Sequence, residues 1–496
     1  MPETKNDGAA DARSRGAGGT RKSARGRTDS SADRRLQDLA AARIAIEAVS
    51  PEIDGGRFPA KATAGGTLAV EADIFCDGHG IVGAAVLHRC AGRSAWSETP
   101  MAMFDNDRWR ADVPVEVRKP HEFTVVAWRD VPASWRAETV RKVEAGQAVA
   151  AELAEARHLM EAALAPDRDL RPADRRGLQA LLKAFDAAAD DTVRLGLMLS
   201  DEAVALFRRA APRTDMTQYD RILPVWVDRP AAAFSAWYEL MPRSQSGDGG
   251  RHGTFDDVIA RLPYIRDLGF DVLYMPPIHP IGRRNRKGRN NSLVAGPDDP
   301  GSPYAIGSPE GGHDAIHPEL GDFDDFARLV AAADEHGLEI ALDFAIQCAP
   351  DHPWIEEHPE WFEWRPDGTI KYAENPPKKY EDIVNVHFYE EAFPSLWYAL
   401  RDVVTFWAER GVRIFRVDNP HTKPLPFWEW MIREVQSQYP DTIFLAEAFT
   451  RPKMMKRLAK VGFTQSYSYF TWRNTKAELT EYMTELTGGE CRHYMR

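Results

Sequence analysis

The sequence of 496 residues is poor in cysteine and contains no long apolar run. Its four cysteines, Cys76, Cys90, Cys348 and Cys491, are scattered and show no metal-ligand spacing, which argues against a disulfide framework and predicts reduced thiols. No apolar segment reaches the length of a membrane span, and residues 1–35 lack the apolar stretch of a secretion signal. We therefore expect a cytoplasmic protein that has no membrane partner.

An excess of positive charge is also missing, because the formal net charge is −12 at pH 7. This balance argues against a general nucleic-acid surface and predicts no nucleic-acid partner. Residues 1–35 are an exception, since arginines cluster there among Ala, Gly, Ser and Asp. We predict a disordered tail, because such a segment buries too little apolar surface to become ordered. A nucleic-acid-binding arm is the weaker alternative, because no aromatic residue is present to stack on bases.

Two regions with different patterns follow the tail. Residues 36–132 contain runs in which apolar and polar residues alternate, as in half-buried antiparallel strands: Arg43–Val49, Thr67–Phe75 and Phe123–Trp128. We interpret this region as a β-sandwich. Residues 133–225 are rich in Ala, Glu, Arg and Leu, with apolar residues at helical spacing. They predict a helical bundle inserted before the next domain.

Strand-like and helix-like segments alternate over residues 226–496. The predicted strands are Ala232–Glu239, Asp271–Pro276, Leu338–Ala345, the two segments that end at Asp418 and Glu447, and Thr464–Phe470. Such alternation specifies a parallel sheet, and six strands in succession predict an α/β fold of the (β/α)8-barrel type that is incomplete here. A long polar, proline-rich stretch after the third strand predicts an inserted subdomain at about residues 348–395.

Two acids stand at the ends of neighbouring predicted strands. Asp418 ends Gly411–Asp418 and Glu447 ends Thr442–Glu447, and a helical stretch separates the two runs. Parallel strands would present both acids at one edge, where paired carboxylates commonly cleave or transfer a glycosidic bond. Arg416 would lie on the same side as Asp418 and keep it ionised for attack, whereas the apolar flanks of Glu447 suit a proton shuttle. The residues alone leave open a structural Arg416–Asp418 ion pair and a solvated Glu447.

Longer motifs surround these acids. Asp343–Gln347, Arg416–Asp418 and Glu447 have the order and spacing of the strand-three, strand-four and strand-five motifs of the α-amylase superfamily. Finer motifs are Phe234–Glu239, Met275–Gly282, Arg286–Asn291, Ala341–Cys348 and Asp418–Pro424. Together they resemble one branch, the α-1,4-glucan:maltose-1-phosphate maltosyltransferases, from about Arg43 to about Gly489. The resemblance is specific, because general amylases carry an Asn-His pair where this chain has Gln347-Cys348.

The resemblance implies a retaining glycosyltransferase of α-glucan biosynthesis. It would move a maltosyl unit from α-maltose 1-phosphate to the non-reducing end of an α-1,4-glucan and release phosphate. Asp418 would be the nucleophile and Glu447 the general acid/base. The donor would be bound by Lys287, Gln347, Asp382, Asn419 and Arg416. Arg416 is also expected to pair with Asp343. A homodimer and the absence of any cofactor are also implied.

Each predicted binding residue has a simpler interpretation from the residues alone. Lys287 fits a solvated charge in a basic loop, and Gln347 fits a polar cap on a strand end. Asp382 fits a partner of nearby lysines, and Asn419 fits a residue that holds the turn made by Pro420. Histidines at positions 313, 352 and 358 match no metal motif, so we predict no metal site.

Two other functions remain open at this level. They are an α-glucan hydrolase or remodelling enzyme of the same superfamily, and an inactive glucan-binding protein. The sequence ends at Arg496, after the sixth predicted helix. The resemblance places two further strands and a third carboxylate beyond that point. We therefore expect a truncated chain with unpaired sheet edges that is unstable and weakly active or inactive.

Overall fold

The computed structural model of the protein describes residues 30–116 and 118–496. A helix at Ser30–Ala41 (α1) belongs to one unit, and Ile44–Arg496 forms a second, compact unit. A disordered tail was expected at residues 1–35. Residues 1–29 of this segment lie outside the described residues, and residues 30–35 are part of α1. No helix in the described part of the chain is long and apolar enough to cross a membrane.

Two sheets with a shared core form the first part of the compact unit. Their strands are β1 (Ile44–Ser50), β2 (Ala60–Thr63), β3 (Gly66–Cys76), β4 (Val82–Cys90), β5 (Ser97–Pro100), β6 (Ala102–Asp105), β7 (Arg108–Val115), β8 (His121–Arg129), β9 (Thr214–Gln218) and β10 (Leu223–Asp228). The first sheet has the order β1-β3-β7-β6; the second has the order β2-β10-β8-β4-β5, with β9 also paired to β8. Val70 and Ile74 of the first sheet and Val86 and Val125 of the second are buried in one core, so the sheets form a sandwich.

Helices lie between β8 and β9 in the chain. They are α2 (Val131–Glu144), α3 (Ala150–Ala163), α4 (Pro172–Asp186), α5 (Asp191–Leu199) and α6 (Asp201–Ala210). Trp135, Met160 and Phe185 are buried in a core that these helices share. Residues 214–225, which the sequence pattern placed in the helical region, instead contain β9 and the start of β10 and return to the second sheet. The cause is packing, because alternate residues of β10 fill the sandwich core.

A six-stranded parallel sheet with intervening helices forms the rest of the unit. The strands are β11 (Trp237–Glu239), β12 (Val272–Met275), β13 (Glu339–Phe344), β16 (Ile414–Asp418), β17 (Ile443–Glu447) and β18 (Gln465–Ser466), in that order across the sheet; β14 (Tyr372–Asn375) and β15 (Lys378–Val384) form a separate hairpin. The helices are α7 (Phe255–Asp267), α8 (Phe323–Glu335), α9 (Trp354–Glu357), α10 (Ser395–Glu409), α11 (Leu425–Gln438), α12 (Pro452–Val461) and α13 (Lys476–Gly488). The prediction of about six parallel strands is confirmed. The outer strands β11 and β18 are shorter than predicted, since each pairs with one neighbour.

The alternation of side chains along these strands determines what lies on each face. Phe344 and Val417 belong to the large core that includes residues of the surrounding helices. Tyr274, Ala341 and Ile414 belong to a separate cluster on the other face, which is the inner face of a barrel. The polar residues of the motifs occupy positions in step with this inner cluster, so they are collected inside the curled sheet.

Candidate active site

One guanidinium joins three acids on the inner face of the parallel sheet. In the strand register, Asp343 lies opposite Arg416 and Asp418 lies opposite Glu447. Arg416 Nη1 is 2.9 Å from Asp343 Oδ2 and 2.8 Å from Asp418 Oδ1, and its Nη2 is 3.6 Å from Glu447 Oε2. Arg416, Asp343 and Asp418 are buried. The expected contact of Asp343 with Arg416 is therefore present, and the same cation also holds both candidate catalytic acids.

Two tyrosines anchor the base of this network. The Tyr274 hydroxyl donates to Asp343 Oδ2 at 2.5 Å, and the Tyr304 hydroxyl donates to the same oxygen at 3.0 Å. Burial raises the pKa of Asp343 to about 7, although Arg416 acts in the opposite direction. Neither tyrosine was identified from the sequence. The available signal was weak: Tyr274 is in phase with the inner positions of β12, and Tyr304 is in a loop.

Asn419 ties the two candidate catalytic acids together. Its backbone N–H donates to Glu447 Oε2 at 3.2 Å, and its side-chain amide donates to Asp418 Oδ2 at 3.1 Å. The backbone of Asn419 is left-handed, with φ 44° and ψ 51°, a conformation that asparagine tolerates better than most residues. This turn ends β16 abruptly and aims the N–H towards β17. Asn419 thus does more than hold the turn at Pro420, because it contacts both acids.

The environment of Glu447 differs from that of Asp418. Its side chain is 15% exposed, and burial raises its pKa, with Arg416 acting in the opposite direction. The raised pKa was expected from the apolar flanks of this residue. A glutamate of raised pKa can carry a proton to and from a reacting oxygen near neutral pH.

A cavity of about 760 Å³ opens beside these groups. Gln347, Asp382, Asp418 and Asn419 line it, together with Tyr304. Asp382 is 3% exposed, its Oδ1 has no hydrogen-bond partner among the described residues, and burial raises its pKa. A buried carboxylate oxygen without a partner at the wall of a polar cavity is suited to accept a hydrogen bond from a ligand hydroxyl.

Lys287 lines a neighbouring cavity and not the large one. It lines a neighbouring cavity of about 310 Å³ with Arg243 and Arg289, and the two cavities have Asn291 and Ser302 in common. Lys287 is only 7% exposed, so the simpler interpretation of a solvated charge is wrong. Its ammonium group still acts on the main cavity, because it opposes the rise in the pKa of Asp382.

Two further residues, to which no role was assigned from the sequence, line the main cavity. His421 and Lys423 lie in and just after the 3₁₀ turn Pro420–Thr422, which leads into α11. Both belong to a motif that the sequence analysis singled out as a whole. A turn has no periodicity that would have shown which of its side chains reach the cavity.

Buried histidines near the site form a hydrogen-bonded chain. The backbone N–H of Trp354 donates to His352 Nδ1 at 3.0 Å, so Nε2 of His352 carries the proton and donates to His313 Nδ1 at 3.2 Å. His313 Nε2 then donates to the carbonyl oxygen of Ala345 at 3.0 Å. Cys348 lies close enough to complete a metal-ligand group. The hydrogen bonds account for all four ring nitrogens without a metal, and the absence of a metal stays a prediction.

The family comparisons agree with this geometry. The model of the α-amylase catalytic domain matches residues 240–481, and the model described as α-1,4-glucan:maltose-1-phosphate maltosyltransferase, domain N/S, matches residues 42–229. An α-1,4-glucan:maltose-1-phosphate maltosyltransferase of Cereibacter sphaeroides is 68% identical over 461 residues, which cover 92% of this chain and 76% of that protein. The maltosyltransferase of Burkholderia pseudomallei is 58% identical over 459 residues, which cover 92% of this chain and 40% of that protein.

Solved structures show more distant similarity. An α-amylase from Lactobacillus plantarum is 28% identical with a TM-score of 0.42, and the match covers 51% of this chain and 59% of that one. The parallel sheet with its inward acids, together with the match to the α-amylase family model, defines a catalytic domain of the α-amylase type. More narrowly, the chain belongs to the α-1,4-glucan:maltose-1-phosphate maltosyltransferase family.

Proposed function

We propose that the protein transfers a maltosyl unit from α-maltose 1-phosphate to the non-reducing end of an α-1,4-glucan by double displacement. In the first step, an Asp418 oxygen forms a bond to C1 of the donor while the C1–O bond to phosphate breaks and its electron pair leaves with phosphate. In the second step, Glu447 takes the proton of the acceptor 4-hydroxyl, and that oxygen displaces Asp418 from C1. Two inversions restore the α configuration.

One observation carries the proposal. Asp418 and Glu447 are opposite one another in adjacent parallel strands, and both contact Arg416 and Asn419 beside the large cavity. Neighbouring strands are about 4.8 Å apart, and retaining glycosidases separate their two carboxyl groups by about 5–5.5 Å. The spacing therefore suits a nucleophile and an acid/base on opposite sides of one sugar carbon.

The remaining predicted residues would hold the donor. Gln347 and Asp382 line the cavity with groups that exchange hydrogen bonds with sugar hydroxyls. Asn419 would contact the sugar beside the nucleophile, and Arg416 would keep Asp418 in its attacking position. Lys287 would act from the neighbouring cavity, through its charge.

The test measures phosphate release and chain growth together. The purified chain is incubated with α-maltose 1-phosphate and maltohexaose, and we expect phosphate together with glucans that grow by two glucose units. Asp418→Asn should abolish both, with a fall in rate of about 10⁴-fold or more. Lys183→Met, a change at an exposed residue of α4, is the matched control and should leave the rate unchanged.

Other outcomes would refute the proposal in distinct ways. Release of maltose and phosphate without longer glucans would indicate a hydrolase. Glucan binding without turnover, unaffected by Asp418→Asn, would indicate a binding protein. Glu447→Gln should slow the second step, so that intact-mass spectrometry detects one maltosyl unit on the protein. If no maltosyl unit is detected on either this variant or the parent chain, the result would contradict a covalent intermediate.

We propose a homodimer in the cytoplasm, divided into domains at about residues 36–132, 133–225 and 226–496, with the chain of β9 and β10 returning from the helical region to the sandwich. The dimer rests on the family resemblance, and light scattering of the purified chain measures it. The location is supported by the four cysteines, none of which forms a disulfide in the structure. Fractionation of the source cells tests it.

A further inference from the structure

The described part of the chain contains two groups of side chains with ligand atoms close enough together to hold a metal ion. In the buried group around Cys348, hydrogen bonds account for all four nitrogens of the two histidine rings. The second group is His252, His317 and Glu319, in which one ligand atom of each residue lies within 4.8 Å of the other two. It includes none of the histidines from which the absence of a metal was predicted, so it is a separate question.

Each histidine of the second group has a nitrogen lone pair that the protein uses little or not at all. His252 Nδ1 donates to the carbonyl oxygen of Gly253 at 2.7 Å, which leaves Nε2 unprotonated in the neutral ring and without a hydrogen bond to any described residue. His317 Nδ1 accepts from the backbone N–H of Glu319 at 3.3 Å, which is longer than a usual hydrogen bond. No side chain among the described residues pairs with the Glu319 carboxylate. All three residues therefore have ligand capacity to spare.

Backbone contacts hold the group together. His252 lies just before α7, and His317 and Glu319 lie before α8, in the loops that follow β11 and β12. The N–H of Phe255 donates to the carbonyl oxygen of Leu320 at 2.9 Å and joins the two loops. The two imidazole rings stack with 5.2 Å between their centroids and 6° between their planes. The main chain thus keeps the rings adjacent although no hydrogen bond links them.

The group has room for an ion. A cavity of about 20 Å³ borders both rings, which is enough for one water-sized particle. Zinc binds its ligands at about 2.0–2.2 Å in a tetrahedron, so that ligand atoms lie about 3.3 Å apart. The present spread of up to 4.8 Å can be closed by rotamer changes, because Glu319 is exposed and His252 is only half-buried.

The charges around the group are mixed. Burial lowers the pKa of His317, and His252, Arg286 and Arg243 do the same, while Glu319 acts in the opposite direction. The His317 ring is therefore neutral near pH 7, which is the form that binds metals. The two arginines repel a cation, and the Glu319 carboxylate attracts it. We therefore expect a moderate affinity.

We propose that His252, His317 and Glu319 bind a zinc ion. Two imidazoles and one carboxylate are a ligand set that zinc uses with a water in the fourth position, whereas calcium and magnesium prefer oxygen ligands alone. The ion would cross-link the loops that follow β11 and β12, and the second of these loops carries Lys287 and Tyr304. The three ligands do not line the large cavity, so we assign the ion a structural role.

Zinc binding is measured by isothermal titration on the purified chain without a histidine tag, after treatment with a chelator. We expect one zinc ion per chain, and at least about tenfold weaker binding for each of His252→Gln, His317→Gln and Glu319→Gln. His158→Gln is the matched control, because His158 also contacts a glutamate, Glu161, but belongs to neither group; its binding should be unchanged. Circular dichroism verifies that each variant is folded. No binding by the parent chain, or unchanged binding in the three variants, would overturn the proposal.

Cobalt distinguishes the two groups by absorption spectroscopy. Co²⁺ held by nitrogen and oxygen ligands gives visible d–d bands, and a cysteine ligand adds an intense thiolate charge-transfer band in the near ultraviolet. We expect the visible bands alone, and their loss in Glu319→Gln. A thiolate band that persists in Glu319→Gln would place the metal beside Cys348 and would overturn the proposal.

Thermal unfolding tests the structural role. The Tm of the parent chain should rise with zinc concentration, because the ion binds the folded state, and the rise should be much smaller in Glu319→Gln. An equal rise in both chains would mean that zinc acts elsewhere on the protein and would contradict the site. None of these measurements depends on maltosyl transfer, so they test the zinc site independently of the proposed function.

Discussion

Ion pairs of the same length occur in the sandwich and in the parallel sheet, but their surroundings differ. Arg110 Nη2 is 2.8 Å from Asp112 Oδ1 in the sandwich, and both side chains are about half exposed, at 48% and 52%. Arg416 Nη1 is also 2.8 Å from Asp418 Oδ1, but each of those side chains is 11% exposed. Because the two distances are equal, we expect burial to decide how much each ion pair contributes to stability.

The architecture of each sheet explains the difference. A sandwich sheet has one face in the core and one in water, so the charges on its outer face, although they pair with one another, stay in contact with solvent. The parallel sheet has helices on one face and the packed interior of the curled sheet on the other. Any charge on its inner face must be paired, which is why Arg416, Asp343 and the tyrosines form one connected network.

The largest difference between the two regions should appear when each arginine is removed. Arg416→Met leaves Asp343 and Asp418 buried without their cation, and we expect a loss of about 3–5 kcal/mol in the free energy of unfolding. Arg110→Met removes the exposed pair with Asp112 and a longer contact with Glu71, and should cost about 0–1 kcal/mol. Urea denaturation of both variants measures these losses. Similar losses for the two variants would mean that the network around Arg416 is reached by water.

A tyrosine hydroxyl on a carboxylate gives a second, smaller contrast. Tyr274 donates to Asp343 inside the curled sheet, and the partly exposed Tyr219 donates to Glu52 beside the sandwich, both at 2.5 Å. Tyr274→Phe should destabilise the protein by about 1.5–3 kcal/mol, and Tyr219→Phe by about 0.5–1.5 kcal/mol. Thermal or urea unfolding of the two variants tests which substitution costs more stability. A larger loss for Tyr219→Phe would contradict the role given to burial.

The regular part of the fold could be predicted because hydrophobic periodicity reports burial directly. The runs that end at Asp418 and Glu447 are buried strands, and each acid is in phase with the inner positions. The same rule did not identify β9, in which no residue is buried. It also extended β18 beyond Gln465–Ser466, because an edge strand has a neighbour on one side only.

The less regular part of the site could not be predicted from the residues. Tyr304 and Lys423 reach the cavity from a loop and a turn, where chain direction depends on tertiary contacts. The position of Lys287 on a neighbouring cavity depends on how the loop at Arg289–Asn291 folds, and periodicity carries no information about that. The resemblance named Lys287 but did not place it.

Left-handed residues offer a third comparison, with effects near 1 kcal/mol. Ala48 lies in an irregular part of β1 with φ 46°, and its side chain is exposed. Ala48→Gly should stabilise the sandwich by about 1 kcal/mol, because glycine adopts this conformation without strain. Asn419 has φ 44°, but its amide contacts Asp418, so Asn419→Gly should bring no such gain and should lower maltosyl transfer. Unfolding and activity are measured on both variants. A stabilised, fully active Asn419→Gly variant would show that the amide contact is dispensable.

The smallest expected effect is a dependence on pH whose sign differs between the two parts of the chain. Burial raises the pKa of Glu447, so its contribution to stability is present below the unfolded value and is lost as pH rises through the folded value. Arg209, with Arg171, lowers the pKa of Asp174 in α4, so its contribution is present above the unfolded value and is lost as pH falls through the folded value. Relative to the parent chain, Glu447→Gln should therefore gain stability as pH rises from about 4 to about 7.5, and Asp174→Asn should lose stability as pH rises from about 2.5 to about 5. Urea denaturation of each variant and of the parent chain at the two ends of its interval measures both differences. The same sign for both variants would mean that Glu447 is better solvated than its surroundings indicate, and it would then be poorly suited to carry a proton near neutral pH.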